Sequence, residues 1–204
     1  MKLLLFDFDG VLVDSLDVYE KTVTDCLQQI GQPLTRGRNE FLELFDGNFY
    51  ESLQKNGVNM DEFTTASVDI LARINYSAMK PFDAMRPVLQ KLSQNHAMIV
   101  ISSNDTPTIV EALRLYDFEG IFQEVLGSDF MLSKKDKILY IMNKYQVLSS
   151  DIYYIGDTVG DMLEGRQAGV KTVGVTWGWH TKDRLVQSNP DYLLDDPEDL
   201  LFLN

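Results

Sequence analysis

Cysteine is almost missing from this chain. Cys26 is the one cysteine among 204 residues, so no internal disulfide staples the fold. Long apolar runs are missing too: no stretch approaches the about 20 apolar residues of a membrane span, which excludes a membrane partner of that kind. The opening run Met1 to Phe6 is broken by Asp7 before it reaches the length of a signal-peptide core, so the expected location is the cytoplasm. Positive charge is in deficit, with 18 Lys and Arg against 31 Asp and Glu and a net charge of −13. That balance repels phosphate backbones and argues against nucleic acid as a partner. A small anionic substrate stays admissible if a local positive centre, such as a divalent metal, receives it. Internal repeats and low-complexity tracts are also absent. What is present is ordinary globular composition, 45% hydrophobic and 24% charged, on a length that suits one compact domain with a sizeable insertion or two small domains.

Residues 2–8 form a short, almost wholly apolar run ending in Asp-Gly, which suits a strand buried on both faces. Similar runs recur at Ala97–Ile101, Ile152–Ile155 and Thr172–Val175, each followed by a polar or glycine-containing turn. Helical periodicity lies between them: Val88, Leu89 and Leu92; then Ile109, Val110 and Leu113 behind an expected Thr106 cap and Pro107; then Ile138, Ile141, Met142 and Tyr145. Strands alternating with helices predict a parallel α/β sheet. Between the first two strands, some eighty residues carry only helical patterning, with Leu16, Tyr19, Val23, Cys26, Leu27 and Ile30 on one face. Residues 15–80 therefore read as an inserted helical subdomain, leaving at Lys80-Pro81-Phe82, with 1–14 and 81–204 as the core. Near the C-terminus Asp196 caps a short helix through Leu200 and Leu201.

Ligands of an open parallel sheet bind beyond the carboxyl ends of its strands. There stand Asp7, Asp9 and Gly10; Ser102, Ser103 and Asn104; and Gly156, Asp157 and Asp161. Asp7 and Asp9 share a face of an extended strand end, and Asp157 and Asp161 stack on the opening turn of a helix. Four converging carboxylates repel one another by several kcal/mol unless a cation neutralises them, and hard oxygen ligands with room for water suit Mg²⁺. Taken singly, each feature has a bland reading as a cap, a turn residue or a solvated basic patch. Together and in this order they are not independent caps.

Phe-Asp-Phe-Asp-Gly-Val-Leu-Val-Asp-Ser at the first strand, a serine after the second, a lysine ahead of a helix and Ile-Gly-Asp-Thr-Val-Gly-Asp resemble the haloacid dehalogenase-like hydrolases. The resemblance is to their phosphatase branch, similar to phosphoglycolate phosphatase and β-phosphoglucomutase, and covers nearly the whole chain. It implies a five-stranded Rossmann-like parallel core, with the first strand central, and an all-helical cap inserted after the first motif. It also implies a Mg²⁺-dependent phosphomonoesterase of a small phosphorylated metabolite, working through an aspartyl-phosphate. Asp7 would then be the nucleophile and a metal ligand. Asp9 would be the general acid and base, with its backbone carbonyl on the metal. Ser102 would bind the phosphoryl oxygens and Lys134 would balance charge, with Ser103 and Lys135 as the alternatives in register. Asp157 would ligate the metal directly, while Asp161 would act through water or orient the lysine.

Substrate contacts implied by the resemblance are Ser103 and Asn104 on the core, and Gly47 and Asn48 in a cap loop that dips toward the site. Arg36 and Arg38 are read as exposed charge, with pairing to a substrate carboxylate as the sharper alternative. His96, His180 and Cys26 are read as ordinary loop and core residues. Phosphoglycolate is the expected ester, with a sugar phosphate behind it. The competing readings are a sugar phosphomutase, which the same motifs allow, and a catalytically silent binding or regulatory relative, which has no need of four clustered carboxylates.

Overall fold

The computed structural model describes residues 2–74 and 78–204; Met1 and residues 75–77, which fall within the two expected segments, lie outside the described residues. The chain starts with β1 (Leu3–Phe6) and β2 (Val13–Asp14), then runs through α1 (Leu16–Gln29), α2 (Arg38–Glu43), α3 (Phe49–Lys55) and α4 (Met60–Leu71). It returns through β3 (Lys80–Pro81) and α5 (Met85–Leu92) to β4 (Ala97–Ile101), α6 (Thr106–Leu115) and β5 (Glu124–Leu126). The last third comprises α7 (Lys134–Tyr145), β6 (Ile152–Gly156), α8 (Val159–Gln167), β7 (Lys171–Val175), α9 (Lys182–Gln187), β8 (Tyr192–Leu194) and a closing 3-10 segment, Pro197–Leu203.

The main sheet has the order β5-β4-β1-β6-β7-β8, parallel throughout. It therefore has six strands where five are expected. The extra one, β8, is three residues long and sits at the edge. Its entry is held by Asp191, whose Oδ2 accepts from the Thr172 amide at 2.8 Å and the Thr172 hydroxyl at 3.0 Å. A segment that short, behind Pro190-Asp191, carries a turn signature and no strand pattern. β5 escapes sequence reading for the same reason.

β1 alternates its side chains between two cores, as a strand with both faces covered must. Leu4 and Phe6 pack with α5, α6 and the C-terminal segment through Val88, Leu89, Ile109 and Leu200. Leu3 and Leu5 pack on the other face with Ile138 and Ile141 of α7. α6 starts one residue earlier than expected, at Thr106, with Pro107 in its first turn and Asp105 as its cap in place of Thr106. Asp105 Oδ1 accepts from the Thr108 amide at 3.1 Å, while the Thr106 hydroxyl accepts from Gly127 N at 3.0 Å.

The helical insertion has its own core, built from Val23, Cys26 and Leu27 of α1 with Phe41, Phe49, Leu53 and Phe63. Its neck is a two-residue antiparallel ladder that pairs Val13 with Pro81 and Asp14 with Lys80, at the expected exit. α3 is not foreshadowed by periodicity; its signal is the Asn48 cap, whose Oδ1 accepts from Glu51 N at 3.1 Å.

Leu5 is fully buried in the central strand, whereas Leu148 is 72% exposed. Leu5→Ala is expected to cost about 2–5 kcal/mol and Leu148→Ala less than about 0.5 kcal/mol, measured as urea midpoints at unchanged slope.

Candidate active site

β1 is where the strand order reverses, with β4 on one side and β6 on the other, and ligands of such sheets sit outside the strand ends at that point. Asp7 leaves β1 with its amide donating to Ile155 O at 2.9 Å. Its parity matches Leu3 and Leu5, which aims it to the face of α7 and α8. The first residue of α7 meets it there: Lys134 Nζ donates to Asp7 Oδ2 at 2.7 Å and to Asp161 Oδ1 at 2.6 Å. All three side chains are buried. Ser133 places the lysine by capping α7, its hydroxyl accepting from Asp136 N at 3.1 Å.

Asp161 is the third residue of α8 and closes a capping box with Thr158. Its Oδ2 accepts from the Thr158 amide and hydroxyl, and its Oδ1 accepts from the Tyr154 hydroxyl as well as from Lys134. Asp157 lies two residues before α8, so it does not share a helical turn with Asp161 as its spacing suggested. Trp179 N donates to its Oδ2 at 2.6 Å. Backbone crowds it on two sides, because a β-carbon at Gly10 or at Gly178 would overlap its carboxylate. Gly10 also holds φ at +75°, a left-handed conformation that glycine takes without strain. On the β4 side Ser102 is buried, and its hydroxyl accepts from Asn104 N at 3.0 Å.

Burial dominates the electrostatics. It pushes Asp7 up to about 7, against the pull of Lys134, and Asp9 up to about 6. Asp157 is raised well above the carboxylate range by burial and then by Asp161 and Asp7. For Asp161, burial is outweighed by Lys134, Thr158 and Tyr154, which hold it ionised. Lys134 would lose its proton to burial alone, but Asp161 and Asp7 keep it charged. Burial is the main cause at both carboxyls and raises Asp7 further than Asp9, so without a cation beside it Asp7 is the more readily protonated of the two.

Oxygens of Asp7, Asp157 and Asp161 lie within 4.8 Å of one another. Asp157 Oδ1 is buried without any hydrogen-bond partner, a state that costs about 1–3 kcal/mol unless something positive meets it. This all-oxygen, buried set fits a hard divalent cation. Asp161, with both oxygens already engaged, is left to orient Lys134 or to act through water.

The haloacid dehalogenase-like hydrolase family model matches residues 4–175. The chain belongs to this family. A phosphoglycolate phosphatase from Vibrio parahaemolyticus is 26% identical, covering 98% of this chain and 95% of its own length. The pyrophosphatase PpaX from Listeria monocytogenes is 24% identical, covering 97% and 94%. Among solved structures, a haloacid dehalogenase-like hydrolase from Streptococcus pneumoniae superposes with a TM-score of 0.80 at 24% identity, covering 99% and 97% of the two chains. The chain stands with the phosphoglycolate phosphatase-like members of the family, a branch of phosphatases.

Of the two lysines weighed in sequence, Lys134 is the one brought to Asp7, while Lys135 is partly exposed with Nζ 3.8 Å from Asp136. Asp7, Asp9, Ser102, Ser103 and Lys134 border one narrow space, together with Tyr19, Phe45, Thr158 and Trp179. Asn104 is buried one step away and lines the larger cavity beside it. Gly47 and Asn48 are not brought to that space. Gly47 O packs against Gly160, and Asn48 Nδ2 donates to Leu132 O at 3.2 Å and Glu164 Oε1 at 3.1 Å. The loop thus docks on α8, because its asparagine is consumed by capping α3 and bridging to the core. Arg36 pairs with Glu43, and Arg38 with Asp17 and Glu20, all at the surface.

His180 is expected as an ordinary loop residue, and neither it nor Trp179 is among the expected site residues. His180 is buried, and its Nδ1 accepts from Val159 N at 3.0 Å while Nε2 lies 3.0 Å from Leu42 O. The ring ties the start of α8 to the helical insertion. The Trp-Gly-Trp-His run after β7 was the available signal. Lys137 was passed over as well; it is fully buried and donates to Ser102 O.

Raised carboxyl pKa values mean that the metal-free folded state holds protons the unfolded chain has lost. Between the unfolded value near 4 and the folded value of about 7 for Asp7, stability therefore falls as pH rises. Metal-free protein is expected to melt lower at pH 8 than at pH 5.5, with the difference reduced in Asp7→Asn. The Tm gain on adding Mg²⁺ should be larger at pH 8, since cation binding displaces those protons. Differential scanning calorimetry measures both.

Proposed function

We propose that the protein is a Mg²⁺-dependent phosphomonoester hydrolase acting on a small phosphorylated metabolite through an aspartyl-phosphate on Asp7, with residues 15–80 as its cap. The observation that carries this reading is the Lys134 ammonium, held between Asp7 and Asp161 at 2.7 and 2.6 Å. It fixes Asp7 at the strand end and supplies a positive charge where phosphoryl oxygens would arrive. Asp7, Asp157 and the Asp9 carbonyl would hold Mg²⁺, which when bound screens the carboxylates from a phosphate dianion and polarises its oxygens.

Asp7 attacks phosphorus in line and the ester oxygen departs as the alkoxide. Asp9, pushed up to about 6 by burial, carries the proton that the alkoxide takes. Asp9, now ionised, removes a proton from water, which attacks the acyl phosphate and frees inorganic phosphate, regenerating the Asp7 carboxylate. Ser102 and Lys134 orient and stabilise the transferring group throughout. The narrow space at Asp7 has a volume of about 10 Å³, room for about one water molecule. A phosphate therefore enters only when the cap shifts and carries Tyr19 and Phe45 away from Asp7, and their return excludes bulk water. Phosphoglycolate, the substrate in the names of several relatives, is the ester to assay first.

Release of phosphate from p-nitrophenyl phosphate is expected with Mg²⁺ and to cease after exhaustive chelation. Undiminished turnover without metal would overturn the metal-dependent reading, and no turnover in any condition would favour a silent relative. Asp7→Asn should abolish turnover. Asp9→Asn should lower kcat by about 100-fold or more while keeping the Mg²⁺-induced Tm gain, because its metal contact is a backbone carbonyl.

A further inference from the structure

Beside the space at Asp7 lies a cavity of about 600 Å³ between the helical insertion and the core, within the range of small-molecule sites. Tyr19 and Ser103 border both spaces. A group esterified to a phosphate at Asp7 would therefore extend past these two residues into the cavity. Its walls are mainly apolar and aromatic, from Val23, Cys26, Phe49, Phe63 and Leu71.

Its charges are all of one sign. Asp105 and Asp129 line it, and none of the described residues lining it is Lys, Arg or His. The opening turn of α6 faces the cavity through Pro107 and Thr108, and such a turn would ordinarily offer amides to an anion. Here those donors are spent: Asp129 Oδ1 accepts from Thr106 N at 2.7 Å, Asp105 Oδ1 accepts from Thr108 N at 3.1 Å, and Pro107 has no amide hydrogen. One oxygen of Asp105, Oδ2, is buried without a hydrogen-bond partner. Inside the cavity, a carboxylate on the substrate's alcohol half would meet two like charges and no cation among the described lining residues. Arg36 and Arg38, the two arginines that could have answered a substrate carboxylate from the helical insertion, are committed to surface pairs, and Arg73, which follows the lining residue Ala72, is exposed and does not line the cavity.

We infer that this cavity receives the alcohol half of the substrate and selects phosphate monoesters whose alcohol is largely apolar and carries no negative charge, discriminating against phosphoglycolate. This rests on the phosphatase reading above and departs from the substrate named for the relatives.

Benzyl phosphate and phosphoglycolate are both esters of primary alcohols, so their comparison reads the cavity more than the leaving group. Wild-type kcat/KM is expected to favour benzyl phosphate by about tenfold or more, since one unpaired charge or lost apolar contact reaches that size. Calorimetry with Mg²⁺ and the non-hydrolysable phosphonate analogues, 2-phenylethylphosphonate and 3-phosphonopropionate, should give the same order of Kd. Thr22→Arg adds a cation on the cavity wall one helical turn from Tyr19, and should shift the kcat/KM ratio toward phosphoglycolate by about tenfold. Equal or tighter binding of the carboxylate analogue by the wild type would overturn the inference. If p-nitrophenyl phosphate is hydrolysed and phosphoglycolate is also preferred, only the cavity inference falls. If no ester is hydrolysed but 2-phenylethylphosphonate binds more tightly, the phosphatase reading falls and the cavity's selectivity stands.

Discussion

A single buried ammonium decides the arrangement at the sheet's end. Asp7, Asp157 and Asp161 gather their oxygens within 4.8 Å, and Lys134 bridges two of them. When all three carboxylates are ionised, Lys134 offsets one of them and two negative charges remain in a place where burial penalises each, so without metal the site takes up protons instead. A divalent cation is the smallest addition that closes the balance, and the unpartnered oxygen of Asp157 is where it is most needed. Removing one partner from a buried pair of this kind typically costs about 3–5 kcal/mol. The elements that deliver Lys134 and Asp161 are therefore under the same constraint as the acids themselves. That explains why α7 opens on a serine cap and why α8 opens on a capping box whose acid is Asp161.

The rest of the fold serves to hold these ends in register. β1 is apolar throughout because both its faces are covered, and its apolar run stops where the chemistry starts. Glycine recurs at Gly10 and Gly178 because backbone must pass the Asp157 carboxylate too closely for a side chain. The helical insertion is tied to this end of the sheet by Tyr50, whose hydroxyl donates to Ser103 O at 2.7 Å, by His180, and by Trp179, whose ring packs against Tyr19, Phe41 and Phe45. Of these, Trp179 borders the narrow space at Asp7 and Tyr50 lines the larger cavity beside it.

What could be read from residues alone was whatever depends on local periodicity and on short motifs. The buried strands, the long helical segment between them and the four aspartates at strand ends all have such signatures. Three-residue β5 and β8 do not, because a strand that short is defined by its neighbours. Asn48 was legible as a polar residue in a loop but not as the cap of α3, since capping and substrate binding use the same side-chain oxygen. Trp179 and His180 matter through partners more than twenty residues away, Asp157 and Val159 among them. The register choice between Lys134 and Lys135 turned on which side chain the Ser133 cap points inward, which spacing alone leaves open. The acidic lining of the large cavity was hidden for a further reason: Asp105 and Asp129 are distant in sequence and meet only at the start of α6.

In the proposed reaction, phosphorus passes through a covalent bond to Asp7. Acid-quenching the enzyme during steady-state turnover with Mg²⁺, reducing the trapped acyl phosphate with borohydride and mapping the peptides by mass spectrometry tests it directly. The account predicts that Asp7, and not Asp9, is converted to the reduced residue, and only when substrate and metal are both present. Turnover at full rate with Asp7 unmodified, or modification confined to another residue, would contradict it.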